Sequence, residues 1–501
     1  MINPGLQRFL PRYRLQLLCG VILFCFYAYF YSGRGWNQNS RFDLTRAIVE
    51  EHTIRIDSFH KNTGDKAFYD GHYYPDKAPG LALAAVPVWA ATRTALKVTG
   101  KTTATERALM FGLYTAALLT VALPTVIALL LLFSVALTMG ASPSGAAFGM
   151  LAVGLGTPMW AYATLFWGHA AAGSFLAFAF IAGFGLRKPS SNPLLQGLAV
   201  GAAAGWATVI EYPAAPAAAL LTGYALYNGW RFQGPMLGRV AVGIFCGAMI
   251  NIAVLGVYNH LAFGSATSIG YAYNVNFPEM RTQAQGFFGT TYPSLKILKE
   301  VLLGWRRGLL PLAPVLVFAI VGLWTLWKKH KIDTLFVAAV PLYYVLFNAS
   351  FHWGLYWTGG FSYGPRYLAA GILFLMVPLS LAWTVGGRLL RVFLAGSAAM
   401  GAVMSLIAVS TWVMPTTAWA HPIVDLTRAF VSSQIPMHDG TNIGIVLGLE
   451  GHASLMPLFV IWLAASFALW KMLRGQIQET NSGESYGGES GLPDSKSTLA
   501  A

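Results

Sequence analysis

The chain has 501 residues, 56% of them hydrophobic and only 10% charged, with a mean hydropathy of +0.55. Soluble domains carry about 25% charged residues, so this composition excludes an ordinary soluble globular protein and suits a stack of membrane helices at roughly 20 apolar residues per span. The formal net charge of +14 does not mark a nucleic-acid partner, because many Lys and Arg residues sit in short loops between apolar runs, as cytoplasmic loops of membrane proteins do.

The first apolar run, 15–31, follows Arg8, Arg12 and Arg14 and ends in aromatics without a small-x-small cleavage site. It reads as an uncleaved helix rather than a signal peptide. Further spans are expected near 108–138, 145–165, 168–186, 195–211, 213–228, 238–260, 308–327, 333–350, 367–386, 392–413 and 453–470, about twelve in all. The apolar run 79–95 is read as dipping into the membrane without crossing. With the N-terminus in the cytoplasm, Arg187 and Lys188, Arg231 and Arg239, Lys328, Lys329 and Lys331, Arg388 and Arg391, and Lys471 and Arg474 all fall inside. That alternation predicts an even number of spans and two cytoplasmic termini. Cys19, Cys25 and Cys246 all lie in apolar runs, and no zinc-ligand or disulfide spacing is visible, so no cofactor is expected and a divalent metal is left open.

Three long segments remain outside the membrane on this topology, 32–107, 262–307 and 414–452, and long loops in compact proteins usually carry function. They belong to one membrane domain, 1–474, followed by a Gly/Ser/Glu-rich tail, 475–501, read as disordered. No internal repeat is visible, so the inverted-repeat sign of many transporters is missing.

In the first loop, residues 40–51 read as a helix, with Leu44 and Ile48 on one face and Asp43, Arg46, Ala47 and Glu50 on another. Lying on the membrane surface, it would turn Asp43 toward an outer cavity. Asp43 also stands three residues after Ser40, the spacing of a capping box, so a helix cap is the competing role. Asp70-Gly71 marks a turn, and Pro79-Gly80 breaks the chain where it enters the apolar run. Lys77 is therefore expected at the headgroup level, either snorkelling or serving as a point charge for a phosphate. His72, Tyr73 and Tyr74 beside it form a polar aromatic wall.

Glu211 places an acid between two spans and is a secondary candidate. In the second loop, Gly286 and Gly289 flank aromatics, the composition of a mobile lid. Leu295, Leu298 and Leu302 there have the spacing of a surface helix. Arg306 and Arg307 end this loop against the positive-inside bias, which points to an anionic partner. Trp353, Tyr356, Trp357 and Tyr363 near the outer face either stack on a sugar or belong to the aromatic belt.

The order of these motifs resembles the GT-C-fold glycosyltransferases, the superfamily of the protein O-mannosyltransferases and the lipid A aminoarabinose transferase. Arg41-Phe42-Asp43 resembles the acidic site of their first periplasmic loop, Asp76-Lys77-Ala78-Pro79-Gly80 resembles the lysine motif, and Arg107 heads the next helix. Segments 258–265, 305–310 and 358–367 are similar to a bacterial branch of the same group. Leu44 departs from the Glu that the mannosyltransferases carry there, so a second acid has to come from Glu50 or Asp57 or is absent.

The resemblance implies an all-α polytopic bundle in the bacterial cytoplasmic membrane, with an outward-facing active site. The implied activity is an inverting glycosyl transfer from a polyprenyl-phosphate-linked sugar to an extracytoplasmic hydroxyl on a protein, lipid or polysaccharide. Phosphate is a good leaving group, so one positioned base suffices where glycoside hydrolysis needs two carboxylates. Asp43 is the expected base, and Lys77, Arg307 and Arg366 the expected phosphate ligands, an arginine offering two parallel hydrogen bonds. Glu50, Asp57, His72, Tyr74, Asp76, Glu211 and Tyr363 are secondary candidates. The alternative is a transporter or lipid flippase, which would place acids inside the spans.

Overall fold

The computed structural model describes residues 4–352, 360–417 and 419–485. These residues form a helical bundle, with β-structure limited to two two-stranded pairs. Nine helical segments among the described residues are long and apolar enough to cross a membrane. Seven of them match expected spans: Glu106–Thr138, Gly168–Gly185, Pro193–Ile210, Lys331–Ala349, Arg366–Val385, Arg388–Ser410 and Gly451–Arg474. Tyr212–Phe263 covers two expected spans, as the helices Ala215–Asn228 and Leu237–Phe263. The run expected to dip without crossing is a helix of 19 residues, Gly80–Val98, long enough to span and only 22% buried.

Two expected spans are interrupted. The run 145–165 stops as a helix at Leu155 and resumes as Met159–Ala163 after Gly156-Thr157-Pro158. The run 308–327 is divided into Leu309–Leu312, Pro314–Phe318 and Ala319–Lys329. Proline withholds a backbone donor and clashes with the preceding turn, which explains both breaks. The last helix continues through Ser485, and 486–501 lie outside the described residues, as do Trp353, Tyr356 and Trp357.

The helix expected at 40–51 begins earlier, at Trp36, runs to Arg46 and continues through Ala47–Glu51 in wider π-type turns. Gly35 occupies the N-cap without a side-chain bond. Ser40 and Asp43 are thus mid-helix, and the capping-box role is overturned. His52, with φ of +54°, ends the helix in the left-handed region.

In lipid, helices gain nothing from excluding water from one another, so close packing of small residues has to hold them. The helices Pro193–Ile210 and Leu237–Phe263 meet on such residues. Gly197 and Gly201 abut the Val240 and Ile244 carbonyls, while Gly243 and Gly247 abut those of Leu194 and Leu198. A Cβ at Gly201 would lie 2.0 Å from the Ile244 oxygen. The other side of Leu237–Phe263 exposes Phe245, Ile252 and Leu261 to the bilayer. Gly201→Leu should therefore cost about 3 kcal/mol, since backbone cannot yield as a side chain can. An unchanged thermal unfolding midpoint in detergent would contradict this packing.

The two ends of the bundle differ. At one, Arg187 holds Asp333 with two bonds of 2.8 and 2.5 Å, and Tyr224 adds a third at 2.6 Å. These contacts tie together the ends of three spans. At the other end the long loops gather. Phe30–Tyr31 pairs antiparallel with Thr441–Asn442, Ala67 bridges Asn274, and the Tyr363 amide donates to the Val413 carbonyl.

Candidate functional site

The site lies at the loop end and is built on a hairpin. Lys66–Tyr69 pairs antiparallel with His72–Pro75 across Asp70 and Gly71, whose φ values of +48° and +79° make the tight primed type of turn that Asp-Gly favours. Its register sets Lys66 opposite Pro75, which brings Asp65 and Asp76 to the same end of the ladder. Asp57 accepts from His72 Nδ1 at 2.8 Å and from the Tyr73 amide at 2.7 Å, and Tyr74 packs edge-on against Phe263. These three candidates brace the hairpin.

The hairpin delivers Lys77 into the interior. Its Nζ is 2.8 Å from Asp76 Oδ2 and 3.2 Å from Asp65 Oδ2, and the side chain is buried. The snorkelling role is thereby excluded, because two carboxylates hold the ammonium inside the protein. The Tyr271 ring covers the ammonium, with its centroid 5.3 Å away. Asn274, from the second loop, donates to Asp76 Oδ2 at 2.7 Å. Asp76 Oδ1 is buried without a hydrogen-bond partner. Burial pushes the Asp76 carboxyl upward, and Asp65 adds to the shift while Lys77 opposes it. Burial alone would discharge Lys77, but Asp65 and Asp76 outweigh it and hold the ammonium charged above its usual range.

Beside this cluster lies a second one. Arg41 is 1% exposed, and its guanidinium meets Glu211 Oε1 at 2.5 Å, the Ala78 carbonyl at 3.1 Å and the Ile210 carbonyl at 3.3 Å. His169 Nδ1 is 3.8 Å from the same Glu211 oxygen. Gly168 allows this approach, since a Cβ there would fall 2.2 Å from Oε1.

Arg366 completes the group. Its guanidinium carbon lies 5.1 Å from the Trp167 ring centroid and 5.5 Å from that of Tyr367. It is half-buried and forms no ion pair among the described residues, and its Nε lacks a hydrogen-bond partner. Its charge is felt at Lys77, and those of Asp65 and Glu211 are felt at Arg366. Trp167 Nε1, against Arg366, and Tyr212 Oη and Tyr258 Oη, whose surroundings include Asp76, are also buried and unpartnered. Buried polar atoms are normally hydrogen-bonded, so such a concentration marks a place for a polar group.

Asp43 stands apart. Two helical positions from Arg41, it projects from the opposite side of the helix Trp36–Arg46. Its Oδ1 accepts from Asn62 Nδ2 at 3.1 Å, while Oδ2 is buried without a partner. Burial pushes its carboxyl up to about 7; the Asn62 bond and the Arg46 charge oppose this, and Glu50 adds to it. Glu50 pairs with Arg46 at 3.1 Å and accepts from Trp89 Nε1 at 3.0 Å. No hydrogen bond or ion pair among the described residues joins Asp43 to Lys77 or Arg366.

Arg307 has another use. Its two amino groups donate to the carbonyls of Gly360, Ser362, Pro415 and Thr416, at 2.7, 2.6, 3.3 and 2.8 Å. With four of its five donors committed to backbone, it staples the loops together and has little left for a phosphate. Tyr363 is likewise buried in this seam. Among the described residues no group of three or more His, Cys, Asp or Glu is placed to hold a metal ion.

Of the expected residues, the structure brings Lys77, Asp76, Glu211 and Arg366 together. Sequence reasoning missed Asp65, Arg41, His169, Tyr271 and Asn274. Asp65 was within reach, because an Asp-Gly hairpin with period-two pairing sets it beside Asp76. The other four come from remote segments or, for Arg41, from the hidden face of a helix, and nothing local marks them.

No protein-family model and no curated protein matches the chain. Among solved structures it is similar to ArnT from Cupriavidus metallidurans bound to undecaprenyl phosphate, with a TM-score of 0.51 and 15% identity over 93% of this chain and 77% of that one. For the same protein in its apo state the TM-score is 0.49, at 15% identity over 78% of this chain and 62% of that one, less than two thirds of its length. At this identity the likeness concerns the fold: the chain is an integral membrane protein with the GT-C fold.

Proposed function

We propose that this chain transfers a sugar from a polyprenyl-phosphate carrier to an acceptor hydroxyl at the loop end of the bundle, on the outward face of the membrane. The observation that carries the reading is Arg366, a cation without an ion-pair partner among the described residues, which packs on Trp167 and whose charge is felt at the buried Lys77. That unpaired Arg366 charge, with the ammonium that Asp65 and Asp76 orient, suits a phosphate whose lipid tail stays in the bilayer. The fold shared with a protein solved with undecaprenyl phosphate bound adds support. The outward orientation is supported by the short loops rich in Lys and Arg at the opposite end.

In this reading the acceptor hydroxyl gives its proton to Asp43 Oδ2, and its oxygen forms a bond to the anomeric carbon. The bond from that carbon to the phosphate oxygen breaks, and the phosphate leaves with the electron pair. Lys77 and Arg366 stabilise the charge that develops on it. Asp43 suits the role of base because one oxygen is oriented by Asn62, the other is unpartnered, and its proton affinity is tuned near neutrality. A second base is favoured by one specific observation: Asp76 Oδ1 is buried and unpartnered, and it lies within the Lys77 cluster itself.

The test uses the full chain in lipid vesicles with a panel of undecaprenyl-phosphate sugars labelled in the sugar. Transfer predicts label in a new product and free undecaprenyl phosphate. Label that crosses the bilayer with the donor intact would establish the transporter alternative instead.

A further inference from the structure

Resting on that polyprenyl-phosphate reading, we infer that Arg41 is a positioning residue for Lys77, with Glu211 as the counter-charge that locks its guanidinium. Arg41 joins three segments distant in sequence. Its Nε donates to Asn37 Oδ1 at 3.1 Å, one turn back on its own helix. Nη1 is shared between the carbonyl of Ala78, the residue after Lys77, and that of Ile210, the residue before Glu211. Nη2 meets the Glu211 carboxylate, and the helix beginning at Gly168 backs that carboxylate.

A rigid planar fork thus fixes the backbone at Lys77 against the turn between the helices Pro193–Ile210 and Ala215–Asn228. Asp65 and Asp76 then aim the ammonium. The helix that carries Arg41 also carries Asp43 on its other side. One helical segment therefore sets the distance between the candidate base and the candidate phosphate ligand.

A purely structural ion pair would behave differently. A buried pair replaced as a whole by apolar groups of similar volume commonly leaves stability intact. R41M/E211M is therefore expected to fold with an unfolding midpoint close to that of the original chain. R41K, which keeps the charge but loses the fork, is the second variant. Binding of undecaprenyl phosphate is measured on the full chain in nanodiscs. Both variants should bind about ten-fold more weakly, the loss expected when a planar, multiply bonded arginine is replaced.

A double-mutant cycle separates positioning from general loosening. In a D65N/D76N/K77M background, which leaves no carboxylate of the cluster stranded, adding R41M/E211M should cause no further loss of affinity, because Arg41 acts through Lys77. Folded R41M/E211M or R41K with unchanged affinity, or additive losses in the cycle, would overturn the inference. If the original chain does not bind undecaprenyl phosphate, or if D65N/D76N/K77M binds it equally well, the polyprenyl-phosphate reading itself fails.

Discussion

Asp43→Asn should lower sugar transfer by about 10²- to 10⁴-fold, the usual contribution of a positioned general base. The substitution is nearly isosteric, and Asn62 can still bond the retained oxygen, so the fold should survive. The pH dependence sharpens the test. With its carboxyl near 7, Asp43 must lose a proton to act, so the rate of the original chain should rise with pH through about 7 and level off above it. The sign for stability is opposite. The native state keeps the Asp43 proton where the unfolded state has released it, so stability falls as pH rises from the usual carboxyl range to about 7. Asp43→Asn should remove that decline and be the more stable protein at pH 8. If Asp43→Asn transfers sugar at the original rate while Asp76→Asn does not, the base belongs to the Lys77 cluster.

Removing Arg366 should separate binding from folding. Arg366 forms no ion pair among the described residues, so Arg366→Gln leaves no carboxylate stranded. Its stability should stay within about 1 kcal/mol of the original, the range of substitutions that break no buried network. Its affinity for undecaprenyl phosphate should fall by roughly 30- to 100-fold, the loss of a charged hydrogen-bonding partner worth about 2–3 kcal/mol. Lys77→Met makes the contrast, because it strands Asp65 and Asp76 in the interior, at a cost of about 3–5 kcal/mol. Unchanged lipid-phosphate affinity in folded Arg366→Gln would remove Arg366 from the site.

Asp43 and Arg366 differ in how far the sequence alone marks them. Asp43 was singled out by its place in a motif. The structure gives it a buried, unpartnered oxygen but removes its role as a helix cap, since the helix starts at Trp36. Arg307 and Arg366 are both candidates in the sequence, near the outer ends of spans, with Arg307 the more marked because it runs against the positive-inside bias. Only the loop packing distinguishes them, with Arg307 spent on four carbonyls and Arg366 left without an ion pair among the described residues.

What the sequence determined by itself is the solvent of each segment. Apolar runs of about 20 residues and the placement of Lys and Arg are local properties, and they identified most spans and set the loops apart from them. Short-range chemistry also placed the Asp-Gly turn, which the structure shows to close the hairpin that presents Lys77. The tertiary structure decided which charges meet. Arg41 finds Glu211 across 170 positions, and Asp76 finds Asn274 across 198. No local pattern encodes such partners, because a buried charge is tolerated only where distant segments supply its counter-charge. Lys77 is the local exception: its own hairpin brings two carboxylates to receive it, and it is buried between them instead of reaching out to the lipid headgroups.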